Sequence, residues 1–289
     1  MVLGQRKMVL TRGVAMPVQS ADTAFRALDG LRLVGTLVTP DVAPDRAVVL
    51  VHGGGVTREE GGFFTRLAAG LGAAGVASLR FDLRGHGESE GRQEDLTLSA
   101  VLNDIRAAIA HIRELTDGES VSLLGTSFAG GITGYFAAKC PELLTRLVML
   151  NPLLNYKKRF IDDKPYWSHE QIDEGAGREL AERGFVAHSP TFKLGRSLLN
   201  EVFWLAPHTT LGDITVPTLI VHGTKDTFIS VGSSRAAAAQ LTCEHKLVEI
   251  YGAQHGFAIH DDPQYLDPRT QEWQTFVIGA VTEWVMAGT

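Results

Sequence analysis

The chain has 289 residues, 44% hydrophobic and 21% charged, the balance of an ordinary globular protein with enough apolar matter for a substantial core. Its 27 basic and 33 acidic side chains give a formal net charge of -6, which argues against general nucleic-acid binding, since that needs a basic face. No stretch approaches the ~18 unbroken apolar residues of a membrane span, and residues 1–10, interrupted by Gln5, Arg6 and Lys7, lack the apolar run of a secretory signal. Cys140 and Cys243 form no Cys-x-x-Cys pattern and read as reduced, packed thiols. The expectation is a cytoplasmic protein.

Residues 23–28 and 31–38 are short, partly alternating runs joined at Asp29-Gly30, which predicts a β-hairpin. Pro40 and Pro44 punctuate the loop that follows. Residues 47–51 (AVVLV) form a continuous apolar, β-branched run, as in a strand buried on both faces. A helix is predicted over 63–74, a strand over 76–81, and an amphipathic helix over 98–115 with Val101, Ile105, Ile109 and Ile112 on one face. A strand at 121–124, a helix at 129–138 and a strand at 147–150 follow. Strands alternating with helices imply a mostly parallel sheet with helices on both faces.

From about 154 to 213 the alternation stops. This stretch is polar and aromatic, with helical fragments and no clear strand, and it carries Tyr156, Phe160, Tyr166, Trp167, Phe203 and Trp204. Regular structure resumes at 218–221, 236–241 and 246–250, and a last helix covers 270–286. The predicted organisation is an α/β core in two parts, 1–153 and 214–289, with a helical cap inserted at 154–213. The cap aromatics Tyr156, Tyr166, Trp167, Phe203 and Trp204 are expected to bind substrate.

The segment Val121-Ser122-Leu123-Leu124-Gly125-Thr126-Ser127-Phe128-Ala129-Gly130-Gly131 runs a buried strand into a serine among small residues, and then into a helix. That is the setting of a nucleophile elbow, in which the serine occupies a tight turn above the sheet edge. A serine hydroxyl needs a base, and the base needs an orienting group. His255 follows the strand at 246–250, and Asp226 follows the strand at 218–221. The order Ser127, Asp226, His255 places all three at strand carboxyl ends, where open α/β sheets bind ligands. Asp213 precedes its strand, and Asp261 and Asp262 come after the histidine, so they fit less well. His52-Gly53-Gly54-Gly55 directly follows the first buried strand. The amides of Phe128 and Gly54 are the expected oxyanion donors, with Gly53 as second choice.

These residues, with Phe81-Asp82-Leu83-Arg84-Gly85-His86-Gly87-Glu88-Ser89, resemble the α/β-hydrolase superfamily, most closely the cinnamoyl and feruloyl esterases and the serine-aminopeptidase-like acyl hydrolases. The resemblance runs from Phe25 to Val285 and is weakest across the cap. It departs from Gly-x-Ser-x-Gly at Ala129. It implies a Ser-His-Asp serine hydrolase of the α/β-hydrolase fold, with no cofactor and no metal, acting on a small-molecule acyl ester. A thioesterase releasing a chain from coenzyme A or an acyl carrier protein is the alternative. In the family the 81–89 loop is structural, so His86 receives no catalytic role.

Other motifs fit poorly. Gly53-Gly54-Gly55 misses the dinucleotide spacing because Arg58 holds its last position, and no phosphate-binding P-loop occurs. The ten histidines include no His-Glu-x-x-His. Lys157-Lys158-Arg159 reads as a solvated surface, with contact to an anionic substrate or carrier as the sharper alternative. A non-catalytic binding protein on the same scaffold and a nucleotide-dependent oxidoreductase are the rivals from other classes.

Overall fold

Eight strands build one twisted sheet in the computed structural model, which describes residues 18–116, 118, 120–259, 261, 262 and 264–288. The stretch read above for a secretory signal, 1–10, lies outside them. In chain order the elements are β1 (Val18–Arg26), β2 (Arg32–Pro40), β3 (Arg46–Val51), α1 (Phe63–Ala73), β4 (Ala77–Phe81), α2 (Leu98–Thr116), β5 (Ser120–Thr126), α3 (Phe128–Lys139) and β6 (Leu147–Leu150). There follow β7 (Trp167–Ser168), β8 (Gln171–Ile172), α4 (Glu174–Arg183), β9 (Phe185–Ser189), β10 (Phe192–Gly195) and α5 (Arg196–Glu201). The chain ends with β11 (Thr218–Gly223), α6 (Val231–Ala238), β12 (His245–Ile250) and α7 (Pro268–Met286).

The sheet order is β1-β2-β4-β3-β5-β6-β11-β12. The β1–β2 hairpin turns at Gly30, whose φ of 90° is cheap only for glycine, and β2 joins β4 antiparallel. From β4 onward every pairing is parallel. Each central strand is buried on both faces because helices cover both. Ala47, Val49 and Val51 belong to a core shared with α2 and α3, whereas Val48 and Leu50 pack toward α1 and α7. The parallel register sets Val51 beside Gly125 and Thr126 beside Leu150. The loops that follow β3, β5, β6, β11 and β12 therefore open on one sheet edge. No described helix is long and apolar enough to cross a membrane.

Buried charge fixes the 81–89 loop to this frame. Arg84 Nε and Nη2 bond both oxygens of the fully buried Asp104 at 2.8 and 2.6 Å, while Arg84 Nη1 bonds Asp29 at 2.7 Å. This bidentate pairing supplies the partners that a buried carboxylate requires. It ties the hairpin turn to α2.

Two expectations need correction. The stretch between β6 and β11 is not purely helical, for it holds two small antiparallel pairs, β7–β8 and β9–β10. Both escape pattern reading. The first pair is only two residues long per strand, and Phe185–Ser189 buries only Val186 fully, so no alternation marks it. The helix before β12 begins at Val231, ahead of 236, because the Ser230 side chain caps the Gly232 amide at 3.2 Å. Glycine and serines in its first turn hide it from a search for apolar periodicity.

Candidate active site

Ser127 sits between β5 and α3 at φ 50°, ψ −117°, a conformation that costs energy in any residue with a Cβ. Surrounding backbone holds it there. Its amide donates to Leu150 O at 2.9 Å, and its carbonyl accepts from Leu153 and Gly130 at 2.8 and 3.0 Å. The small neighbours are sterically required. A Cβ on Gly125 would stand 2.4 Å from Thr133 Oγ1, and one on Gly130 would stand 2.4 Å from Pro152 Cβ. Ala129 is fully buried without conflict, so the departure from the family pattern costs nothing here.

His255 Nε2 lies 2.9 Å from Ser127 Oγ, and its Nδ1 lies 2.7 Å from Asp226 Oδ2. The three side chains predicted from chain order thus meet at one edge of the sheet. Asp226 Oδ1 accepts the amides of Phe228 and Ile229 at 2.8 and 2.9 Å. A second imidazole, His222, places Nε2 3.3 Å from Asp226 Oδ2 and 2.9 Å from Ile229 O, while its Nδ1 meets Ser234 Oγ at 2.7 Å. Burial alone would raise the Asp226 pKa. Hydrogen bonds from His222 and His255 outweigh it and hold the carboxyl well below its usual range, so it stays ionised. His222 was not anticipated, since a histidine inside a buried strand carries no sequence signal of its partner.

The glycine loop is clamped on both sides. Gly53 N donates to Glu60 Oε1, and Gly55 N donates to His86 Nε2 at 3.1 Å. His52 Nδ1 meets Gly53 O at 2.7 Å, and its Nε2 accepts the Leu83 amide at 2.9 Å. Burial pushes the His52 pKa down to about 3, and the nearby His86 acts in the same direction, so the ring is neutral. With the flanking amides occupied, the Gly54 amide has no acceptor among the described residues, and neither has the Phe128 amide at the start of α3. A Cβ on Gly54 would fall 2.7 Å from the Phe192 ring, so this position must be glycine.

Residues 42–172 match the family model described as serine aminopeptidase, S33. A monoacylglycerol lipase of Mycolicibacterium smegmatis is 26% identical over 286 residues, covering 92% of this chain and 97% of the relative. Est1E of Butyrivibrio proteoclasticus with bound ferulic acid superposes with a TM-score of 0.72 at 23% identity, over 90% of this chain and 99% of that one. The chain has the α/β-hydrolase fold, and the proteins it resembles are esterases and lipases.

The cavity above Ser127 has two lobes, which share Gly54, Ser127, Phe228 and His255. One, of 280 Å³, carries the polar side chains of Glu60, Gln254, Asp262 and Tyr265 in its wall. The other, of 240 Å³, is walled by Phe128, Leu153, Phe160, Phe192, His188 and Arg159. None of the five cap aromatics expected to bind substrate lines either lobe. Tyr156 is buried behind the elbow, where its hydroxyl donates to Phe128 O and accepts the Ile132 amide at 3.0 Å. Trp204 is 89% exposed. Tyr166, Trp167 and Phe203 pack on the outside of the core, with Trp167 and Phe203 5.8 Å apart. The cavity walls come instead from Phe160, His188, Phe192 and Phe228, which no periodicity distinguishes.

Glu60 also went unread. It adopts a left-handed φ of 45°, and its carboxyl faces the cavity with no cation bound to it among the described residues. Burial pushes its pKa up to about 7 against the pull of the Gly53 amide and the His255 charge. A carboxyl that binds its proton more tightly when folded stabilises the protein below its unfolded pKa. That contribution is lost as pH rises through about 7. Glu60→Gln keeps an acceptor for Gly53 and abolishes the ionisation. The variant should match the wild type near pH 4 and exceed it near pH 8 by about 1 kcal/mol, a figure reduced for screening by cavity water. Chemical denaturation at the two pH values reads the difference, and an equal offset at both would contradict the raised pKa.

Proposed function

We propose that the enzyme hydrolyses a carboxylic ester through an acyl-enzyme on Ser127. His255 takes the hydroxyl proton at Nε2 as Oγ attacks the acyl carbon. Asp226 fixes the tautomer with the proton on Nδ1 and stabilises the imidazolium. The amides of Gly54 and Phe128 receive the developing oxyanion. His255 then returns the proton to the departing alkoxide, and a water activated by the same imidazole releases the acid. One water is consumed, giving one acid and one alcohol.

The unbroken chain of contacts from Ser127 Oγ through His255 to Asp226, at 2.9 and 2.7 Å, carries this reading. The alkoxide must leave on the side from which His255 supplies a proton. The lobe beside Glu60 is walled by the histidine's own loop, at Gln254, Gly256 and Ala258, and so would take the alcohol. The aromatic lobe beyond Phe128 would take the acyl group. A thioester would pass through the same steps. A side-by-side panel of neutral p-nitrophenyl esters and acyl-coenzyme A thioesters tests the assignment. Faster turnover of esters is expected, and a clear preference for thioesters at matched chain length would overturn it.

A further inference from the structure

We propose that the aromatic lobe receives an acyl chain bearing a carboxylate at its far end, held by Arg159 with His188 beside it. This deepens the ester-hydrolase reading and rests on it. The three consecutive cations at 157–159 are not alike in the fold. Lys157 pairs with Asp162 and Glu170 at 2.9 and 3.0 Å, and Lys158 pairs with Asp163. Arg159 has no ion pair among the described residues, yet it lines the same lobe as Ser127 and is half-buried there. It stands on a widened helical turn, Lys158–Asp162, that buries Phe160 and Ile161 on the inside. Such turns recur at functional sites.

His188, on β9, supplies the second feature. Its ring is boxed by Phe160 and Phe192 at 5.1 and 5.9 Å, and its Nδ1 is buried without a hydrogen-bond partner. Burial lowers its pKa to about 4, and the charges of Lys164 and Arg159 push in the same direction. Lys164 is itself lowered by burial and by Arg159, with only Asp163, already paired to Lys158, acting against this. The lobe therefore carries the positive charge of Arg159 with no carboxylate among its lining residues to answer it. A wall of phenyl rings that also holds a guanidinium and an imidazole suits an apolar chain with an anionic tip. A guanidinium can bind that tip through two parallel hydrogen bonds.

The test compares the p-nitrophenyl monoesters of adipate and suberate with neutral p-nitrophenyl esters of the same chain lengths. The wild type should favour at least one acidic ester by about 10-fold or more in kcat/KM, and the preference should shrink with added salt. Arg159→Gln should lower kcat/KM for that ester by about 10- to 100-fold, mainly through KM, and affect its neutral counterpart far less. Arg159→Lys should restore part of the loss. Equal losses on both esters, or a wild type without preference for the acidic one, would overturn the inference while leaving the ester reading intact. A wild type inert on both would remove the ester reading, and this inference with it.

Discussion

Ser127→Ala should lower kcat for a short neutral ester by about 10⁴- to 10⁶-fold while leaving the fold in place. The substitution removes only Oγ. The backbone bonds of residue 127 to Leu150, Leu153 and Gly130 do not involve the side chain, and alanine bears the left-handed φ no worse than serine does. Urea unfolding should therefore shift by less than about 1 kcal/mol, because only the 2.9 Å contact to His255 is lost. The rate falls so far because, among the described residues, Ser127 alone brings a hydroxyl to His255 Nε2. Residual turnover should reflect the Gly54 and Phe128 amides, which can still polarise a carbonyl toward water. Labelling by a fluorophosphonate should vanish in the same variant. Near-normal turnover would move the nucleophile elsewhere, and a folded variant that still labels would say the same.

The elements legible in the sequence were those whose burial is periodic or complete. The run Ala47-Val48-Val49-Leu50-Val51 announces a central strand because both of its faces are covered, and Asp29-Gly30 announces a turn because only glycine takes its second position cheaply. Ser127, Asp226 and His255 could be found because the fold presents successive strand ends at one edge, which converts chain order into proximity. The lobes were not legible for the opposite reason. Phe160 lies on a helical turn, His188 and Phe192 on a short hairpin, and Phe228 on the loop after β11. Their convergence depends on the path of non-periodic chain. Aromatic content alone singled out Trp204, which faces solvent, and Tyr156, which braces the elbow from behind. Glu60 escaped for a related reason, since its burial depends on how the loop after β3 folds back onto Gly53.

Asp226→Asn should reduce kcat by about 10⁴-fold, although it changes a single atom and little volume. The surroundings dictate which way the amide faces. Oδ1 of residue 226 receives two backbone N–H groups, from Phe228 and Ile229 at 2.8 and 2.9 Å, so the Asn oxygen must stay there. The NH₂ group then occupies the position of Oδ2, 2.7 Å from His255 Nδ1. Two donors cannot share that contact, so His255 must present a bare Nδ1 and carry its proton on Nε2. An Nε2–H pointing at Ser127 Oγ cannot accept the serine proton, and the base is lost while the geometry survives. The same NH₂ faces His222 Nε2 at 3.3 Å, which already donates to Ile229 O, so the second imidazole offers no relief. Stopped-flow turnover of a p-nitrophenyl ester measures the loss, and NMR of the imidazole nitrogens reads the tautomer directly. A variant that retained the Nδ1–H tautomer and most of its rate would show that Asp226 serves only to tie down the loop after β11.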